Sequence, residues 1–259
     1  MFRSPGPVAL QFGPLTVRWY GILMAAAMAL GLWLAYRDAR RRHLDPESLL
    51  KAAELALLGG LVGARLYYVV FNLDYYSLYP AKILAVWEGG LAIHGGVIGG
   101  ILVGGAYAWR RGLPIATYLD IAAPSMAIGQ CIGRWGNFFN EEAFGTPTAA
   151  PLKLFISPAH RPLAYAHEEY FHPAFLYESV WNLGVFVILY FFLRDRLARA
   201  PGALFLAYIG LYSLGRFMTE AIRTDALMLG PLRVAQLVSL IGIGLAVIGV
   251  PLLLRRART

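Results

Sequence analysis

The chain has 259 residues, 58% of them hydrophobic and only 15% charged, against about a quarter charged in ordinary soluble domains. So little charge leaves a soluble protein of this size without enough polar surface to cover itself. The formal net charge of +8 would suit a nucleic-acid binder, but the arginines fall in short clusters beside apolar stretches: Arg37 with Arg40, Arg41 and Arg42; Arg110 and Arg111; Arg194, Arg196 and Arg199; Arg255, Arg256 and Arg258. That is the pattern of anchors against anionic head groups, and no basic soluble module remains for nucleic acid.

Seven apolar spans are predicted, at roughly 15–36, 50–72, 90–109, 116–135, 173–193, 202–221 and 233–254. Trp19 to Tyr36, Gly89 to Trp109 and Val234 to Leu254 contain no charged residue, and each has the roughly 20 residues a helix needs to cross a hydrocarbon core of about 30 Å. The first span lacks the basic start and cleavage site of a signal peptide and is read as a retained helix. Tyr20 stands near its beginning. In the second span, Arg65 is open to a structural or a functional role.

The third span is preceded or filled by Gly89, Gly90, Gly95, Gly96, Gly99, Gly100, Gly104 and Gly105. Small residues let helices approach closely, and glycine also permits irregular backbone around a cavity; both readings stand. The same span carries His94, the only histidine in a predicted span. An imidazole there is either satisfied by a backbone carbonyl or exchanges a proton near neutral pH.

Asp120, early in the fourth span, is expected to be structural. The single cysteine, Cys131, lies in an apolar run where thiols are inert, and it excludes internal disulfides and cysteine metal clusters. The span ends on Gly133-Arg134-Trp135-Gly136-Asn137-Phe138-Phe139-Asn140-Glu141-Glu142. Arg134 follows a long apolar run, and its planar fork suits a lipid phosphate. An isolated arginine would merely snorkel, but Asn137, Asn140 and Glu142 crowd behind this one.

The connection 136–172 carries Pro147, Pro151, Pro158 and Pro162, so it is no continuous helix. We expect a small non-cytoplasmic head inserted into a single polytopic domain covering 1–259. The sixth span ends with Tyr212, Arg216, Glu220 and Arg223, which at about 100° per residue fall within roughly 80° of one another. Charge inside a span costs about 2.5–3.5 kcal/mol per residue on insertion scales. A self-satisfying Arg216–Glu220 pair would explain two of these groups and leave Tyr212 and Arg223 without a purpose.

No HExxH, paired histidine or Asp-rich motif occurs, so neither a metal nor a cofactor is expected. Placing the arginine clusters in the cytoplasm puts the amino terminus outside, the carboxyl terminus inside and the polar constellations at the outer face.

The run from Gly133 to Asn140 with Glu142, together with His94-Gly95-Gly96, His172-Pro173-Ala174-Phe175-Leu176-Tyr177-Glu178 and Gly215-Arg216-Phe217 with Glu220 and Arg223, resembles the signature of bacterial prolipoprotein diacylglyceryl transferases. Phe12-Gly13-Pro14 and Trp19-Tyr20-Gly21 resemble that family's start. The matches run from about residue 11 to 236 in order. Ala92-Ile93 depart from the pattern by precluding a hydroxyl beside His94.

The resemblance implies an all-α membrane protein of seven transmembrane helices with an outward head between helices 4 and 5, in the bacterial cytoplasmic membrane. It implies transfer of the diacylglyceryl group of phosphatidylglycerol to the lipobox cysteine of a preprolipoprotein. Tyr20, His94, Arg134, Asn137, Glu142, Tyr212, Arg216, Glu220 and Arg223 are the implied functional set, with Arg134 and Arg216 on the phosphate. The rival is a transporter or flippase for an anionic lipid or solute. It predicts charges at both membrane depths and internal duplication, and the sequence offers neither.

Overall fold

The structure, a computed structural model, describes residues 1–13 and 15–258, and the side chains of all of these but Leu15 and Glu88; Pro14 of the amino-terminal motif lies outside the described residues. In chain order it runs β1 (Phe2–Arg3), β2 (Val8–Phe12), β3 (Leu15–Arg18), α1 (Trp19–Arg41), α2 (Pro46–Val70), α3 (Leu73–Leu78), α4 (Ile93–Arg110) and α5 (Ile115–Asn140). Then come β4 (Leu154–Phe155), β5 (Tyr170–Phe171), α6 (Ala174–Val187), which continues as a π-helical stretch Ile188–Leu193, α7 (Ala203–Glu220), β6 (Met228–Leu229), β7 (Leu232–Arg233) and α8 (Val234–Arg256). Among the described residues five helices are long and apolar enough to cross a membrane: Trp19–Arg41, Pro46–Val70, Ile115–Asn140, Ala174–Leu193 and Val234–Arg256. The other two expected spans form the 18-residue helices α4 and α7. They are shorter than the other five and carry His94 and Arg110, or Arg216 and Glu220, within that length.

Two boundaries differ from the sequence reading. Residues 15–18, expected to begin the first span, are strand β3, paired antiparallel with β2. The fourth helix, expected to stop near 135, continues to Asn140, because backbone hydrogen bonding carries on after the apolar run has ended.

The chain divides into two compact units, Ala35–Tyr118 and Met1–Leu34 with Leu119–Thr259. In the first of these, Asp45 caps α2 by accepting from the Glu47 amide at 3.0 Å, with Pro46 opening the helix, as helix starts favour. The glycine puzzle resolves here as close packing. A Cβ on Gly99 would stand 2.2 Å from the Gly59 carbonyl oxygen, and one on Gly63 would stand 2.4 Å from that of Gly95. The backbones of α2 and α4 therefore touch along this seam. Arg65 is structural: it donates to the carbonyls of Ile83 (2.8 Å), Gly89 (2.6 Å), Gly90 (2.9 Å) and Lys82 (2.5 Å), tying the irregular segment before α4 to α2.

The second unit has an apolar core of Ala123, Ala127, Val185, Leu189, Ala203, Leu204 and Tyr208, drawn from α5, α6 with its π continuation, and α7. Asp120 anchors it by accepting from the amides of Gly202 and Phe205, both at 2.8 Å. These are donors that the start of α7 would otherwise leave unmet, which bears out its structural reading.

Residues 141–173 form a small layer of their own. β4 lies between β1 (parallel) and β5 (antiparallel), over a core of Phe144, Leu154, Ile156, Phe171 and Phe175. The layer begins at an unusual helix end. Glu141 takes φ 52° while its amide bonds to the Phe138 carbonyl and that of Glu142 to the Asn137 carbonyl. This is a helix stop ordinarily given to glycine. Side-chain contacts hold Glu141 there: its carboxylate accepts from the Ser157 amide (3.0 Å) and the Ser157 hydroxyl, and meets His160 Nδ1 at 2.9 Å. Burial alone would raise the Glu141 carboxyl, but the Ser157 and His160 contacts outweigh it and hold it below its ordinary value.

Gly99→Ala is expected to cost about 1–3 kcal/mol through overpacking, whereas Gly105→Ala, whose Cβ would meet nothing within 4 Å, should gain up to about 1 kcal/mol of helix propensity; opposite shifts in melting temperature in one detergent check the pair. Because the folded Glu141 carboxyl is depressed, its contribution is complete above the ordinary value of 4.5 and lost as pH falls through the folded one. Protection from hydrogen exchange at 157, 159 and 160, taken against the unstructured chain at the same pH, should therefore fall in acid, and Glu141→Gln should lower it at neutral pH.

Candidate active site

Four helices of the second unit build the site. α5 carries Arg134 and Asn137, α6 carries Glu178, α7 carries Tyr212, Arg216 and Glu220, and α1 carries Tyr20 in its first turn. A carboxylate among apolar helices is unstable unless cations meet it, and Glu178, 5% exposed, is met by three. Arg134 Nε stands 2.6 Å from its Oε2, Arg216 Nη1 donates to its Oε1 at 3.0 Å, and Arg223 Nη1 lies 3.7 Å from the same oxygen. The Thr219 hydroxyl adds a donor at 3.1 Å.

The remaining nitrogens show how the group is braced. Arg216 Nη2 reaches Glu220 at 2.6 Å, the i,i+4 pair that the sequence predicts. Arg223 is held by Asp225, its Nε at 2.8 Å and its Nη2 at 2.5 Å. Arg233 donates to the backbone carbonyl of Glu220 and so fastens the end of α7. The terminal nitrogens of Arg134 have no hydrogen-bond partner among the described residues. Three guanidinium groups thus share three carboxylates, two of them, Glu178 and Glu220, buried. Asp225 lies half-exposed at the edge.

Arg134 and Arg216 line one small cavity with Glu178, Trp181, Asn182, Tyr212 and Gly215; its free volume is about 10 Å³, room for a single water. Two glycines make the packing around it possible. A Cβ on Gly215 would stand 2.2 Å from the Trp181 indole, and one on Gly136 would stand 2.4 Å from the Tyr20 ring. Tyr20 therefore lies against α5, two residues from Arg134 in sequence. Asn137 and Asn140 donate to Glu142 Oε1 at 2.9 and 3.3 Å. Glu142 thus fixes the two amides.

His94 belongs to the first unit. It is exposed in the opening turn of α4 with the Tyr67 ring 6.1 Å away, so it is not the buried core histidine allowed for above. Cys131 is buried against the Ser179 hydroxyl at 3.3 Å. No cluster of His, Cys, Asp or Glu fit for a metal occurs among the described residues.

Glu178 is the residue that the sequence reading quoted within a motif and left without a role. Its signal was available: it is the one acidic residue in a 20-residue apolar stretch, which demands a cation on a neighbouring helix.

A family model described as prolipoprotein diacylglyceryl transferase matches residues 7–252. The phosphatidylglycerol–prolipoprotein diacylglyceryl transferase of Synechococcus elongatus is 51% identical over 96% of this chain and 87% of its own. Those of Trichormus variabilis and Gloeobacter violaceus are each 48% identical, over 100% and 99% of this chain and 93% and 96% of theirs.

Stranding buried partners costs on the order of 3–5 kcal/mol. Glu178→Ala should therefore lower stability by that order, and Glu178→Ala combined with Arg216→Met should recover part of the loss, as a double-mutant cycle of melting temperatures will read.

Proposed function

The chain belongs to the prolipoprotein diacylglyceryl transferase family, and on that premise we propose that Arg134 and Arg216 are where it grips the phosphate of its lipid donor. It is a transferase that moves a diacylglyceryl group from phosphatidylglycerol to a prolipoprotein. The observation that carries the site assignment is the convergence of two arginines from different helices on one cavity, where they share Glu178.

The acceptor is the thiol of a lipobox cysteine near the end of a signal peptide. Its thiolate attacks the glyceryl carbon, a carbon–sulfur bond forms, and the carbon–oxygen bond to phosphate breaks with its electron pair going to oxygen. Glycerol phosphate leaves and a thioether remains. Negative charge grows on the departing phosphate, so cations fixed in advance lower the barrier. The open fork of Arg134 and the braced fork of Arg216 supply them. The cavity as it stands has room for about one water, so the phosphate has to take over guanidinium contacts that Glu178 now makes. Glu220 and Asp225 then keep Arg216 and Arg223 in place while Glu178 yields. Tyr20, Asn137, Glu142 and Tyr212 position the reacting groups. His94 takes the thiol proton or orients the thiol, its rival as acceptor being a phosphate oxygen.

The same reading gives seven spans, with α4 and α7 crossing beside the five more apolar helices, and with the layer at 141–173 as an extracytoplasmic head, close to the predicted 136–172, in one polytopic domain. Helices α1, α4 and α8 each end in a basic last turn, and Arg194 follows the π-helical stretch. This supports a cytoplasmic location for those ends, the bacterial inner membrane as the host, and a site at the outer face.

Incubated with phosphatidylglycerol and a lipobox peptide, the purified protein should add the mass of one diacylglyceryl group to the peptide. Arg134→Lys and Arg216→Lys should each lower turnover at least a hundredfold, since a lysine cannot offer the paired fork; near-normal turnover in either would remove the clamp. His94→Asn should flatten the rise in rate toward alkaline pH if the imidazole is the base, and an unchanged profile assigns the proton to phosphate.

A further inference from the structure

Outside the charged cavity, a largely apolar depression runs along α6 against α7. It has a volume of about 380 Å³ and no charged side chain in its lining. Leu176, Val180, Gly184 and Ile188 form its floor at intervals of four, a single stripe on one helix, about 18 Å long at 1.5 Å per residue. Leu211 of α7 closes one side. The stripe starts at the level of Glu178 and runs toward the π-helical stretch, away from the end of α6 that joins the β layer.

Trp181 lines both this groove and the arginine cavity. Its indole is fixed twice, by donating to the Leu211 carbonyl at 2.9 Å and by lying on Gly215, where no side chain fits. A phosphate on Arg134 and Arg216 is therefore one indole away from the upper end of an apolar trough. Gly184, midway down, is open: a Cβ there would meet nothing within 4 Å.

We propose that this groove seats one acyl chain of the donor phospholipid, with Trp181 as the divider between head group and chain and Gly184 as the notch that lets a long chain pass. The proposal rests on the reading of the arginine cavity as the phosphate site. The apolar lining, and a start one indole away from the phosphate site, favour an acyl chain of the same lipid. For a chain drawn from the surrounding lipid the gain is close packing against the groove rather than removal from water.

Gly184→Phe fills the notch without touching the charged residues, and the gain in helix propensity keeps the fold. With long-chain phosphatidylglycerol in dilute mixed micelles, KM should rise about tenfold, a loss of about 1.4 kcal/mol of chain packing. With a dihexanoyl donor, KM should stay within about twofold. Equal effects on both donors, no effect on either, or a raised KM for the peptide instead would overturn the proposal, the last by giving the groove to the signal peptide.

A second readout needs no turnover. Phosphatidylglycerol brominated in mid-chain should quench the fluorescence of Trp181, taken as the difference between the protein and Trp181→Phe, and Gly184→Phe should abolish that quenching. If the unsubstituted protein transfers nothing yet quenching follows this pattern, the groove stands as a chain site and the reaction assignment falls. If transfer proceeds and the quenching is absent or indifferent to residue 184, the groove is not the seat.

Discussion

A carboxylate placed among apolar helices has to be met by cations wherever the helix that bears it is packed, and Glu178 sets that requirement for the second unit. Its two oxygens are divided between Arg134 of α5 on one side and Arg216 and Arg223, from α7 and the residues after it, on the other. Three segments are thereby held at one point by charge, while the apolar core drawn from the same helices supplies packing that is not directional. The arrangement has chemical use because it is only just satisfied: each arginine has its own second partner or an open face, and the carboxylate is shared among them all.

The glycines of this chain serve two different ends. In the first unit, Gly59, Gly63, Gly95 and Gly99 bring the backbones of two helices into contact, and any side chain would wedge them apart. In the second unit, Gly136 and Gly215 each make room for an aromatic ring beside the arginine cavity. Tyr20 and Trp181 thus become walls whose position is set by a neighbouring helix. The polar layer at 141–173 is fastened by other means: short strands, a phenylalanine core and the carboxylate of Glu141, which holds its own backbone in an uncommon conformation.

Much of this was legible in the sequence because membrane insertion makes polarity expensive. Arg134, Arg216 and Glu220 stood out as charges at the ends of apolar runs, and all three lie in the cluster. Hydropathy was a poorer guide to where helices stop. It ended the fourth helix at the first arginine, whereas the backbone continues through Asn140, and it missed strand β3, since a short apolar strand beside a span carries no separate signal. Glu178 passed unread for a different reason: its meaning depends on which helices neighbour α6, and no local pattern states that. The role of Glu142 likewise turned on a helix end, where Asn137 and Asn140 come within its reach.

The pairs Gly136 with Tyr20 and Gly215 with Trp181 have an implication for how such a sequence can drift. Enlarging either glycine alone drives a Cβ into a ring, and shrinking either ring alone opens a void beside buried charge. The viable path changes both members together or neither. Each pair therefore behaves as a single heritable character spread over two distant codons, and random mutagenesis of this protein should find its neutral variation elsewhere, on the exposed face of α8.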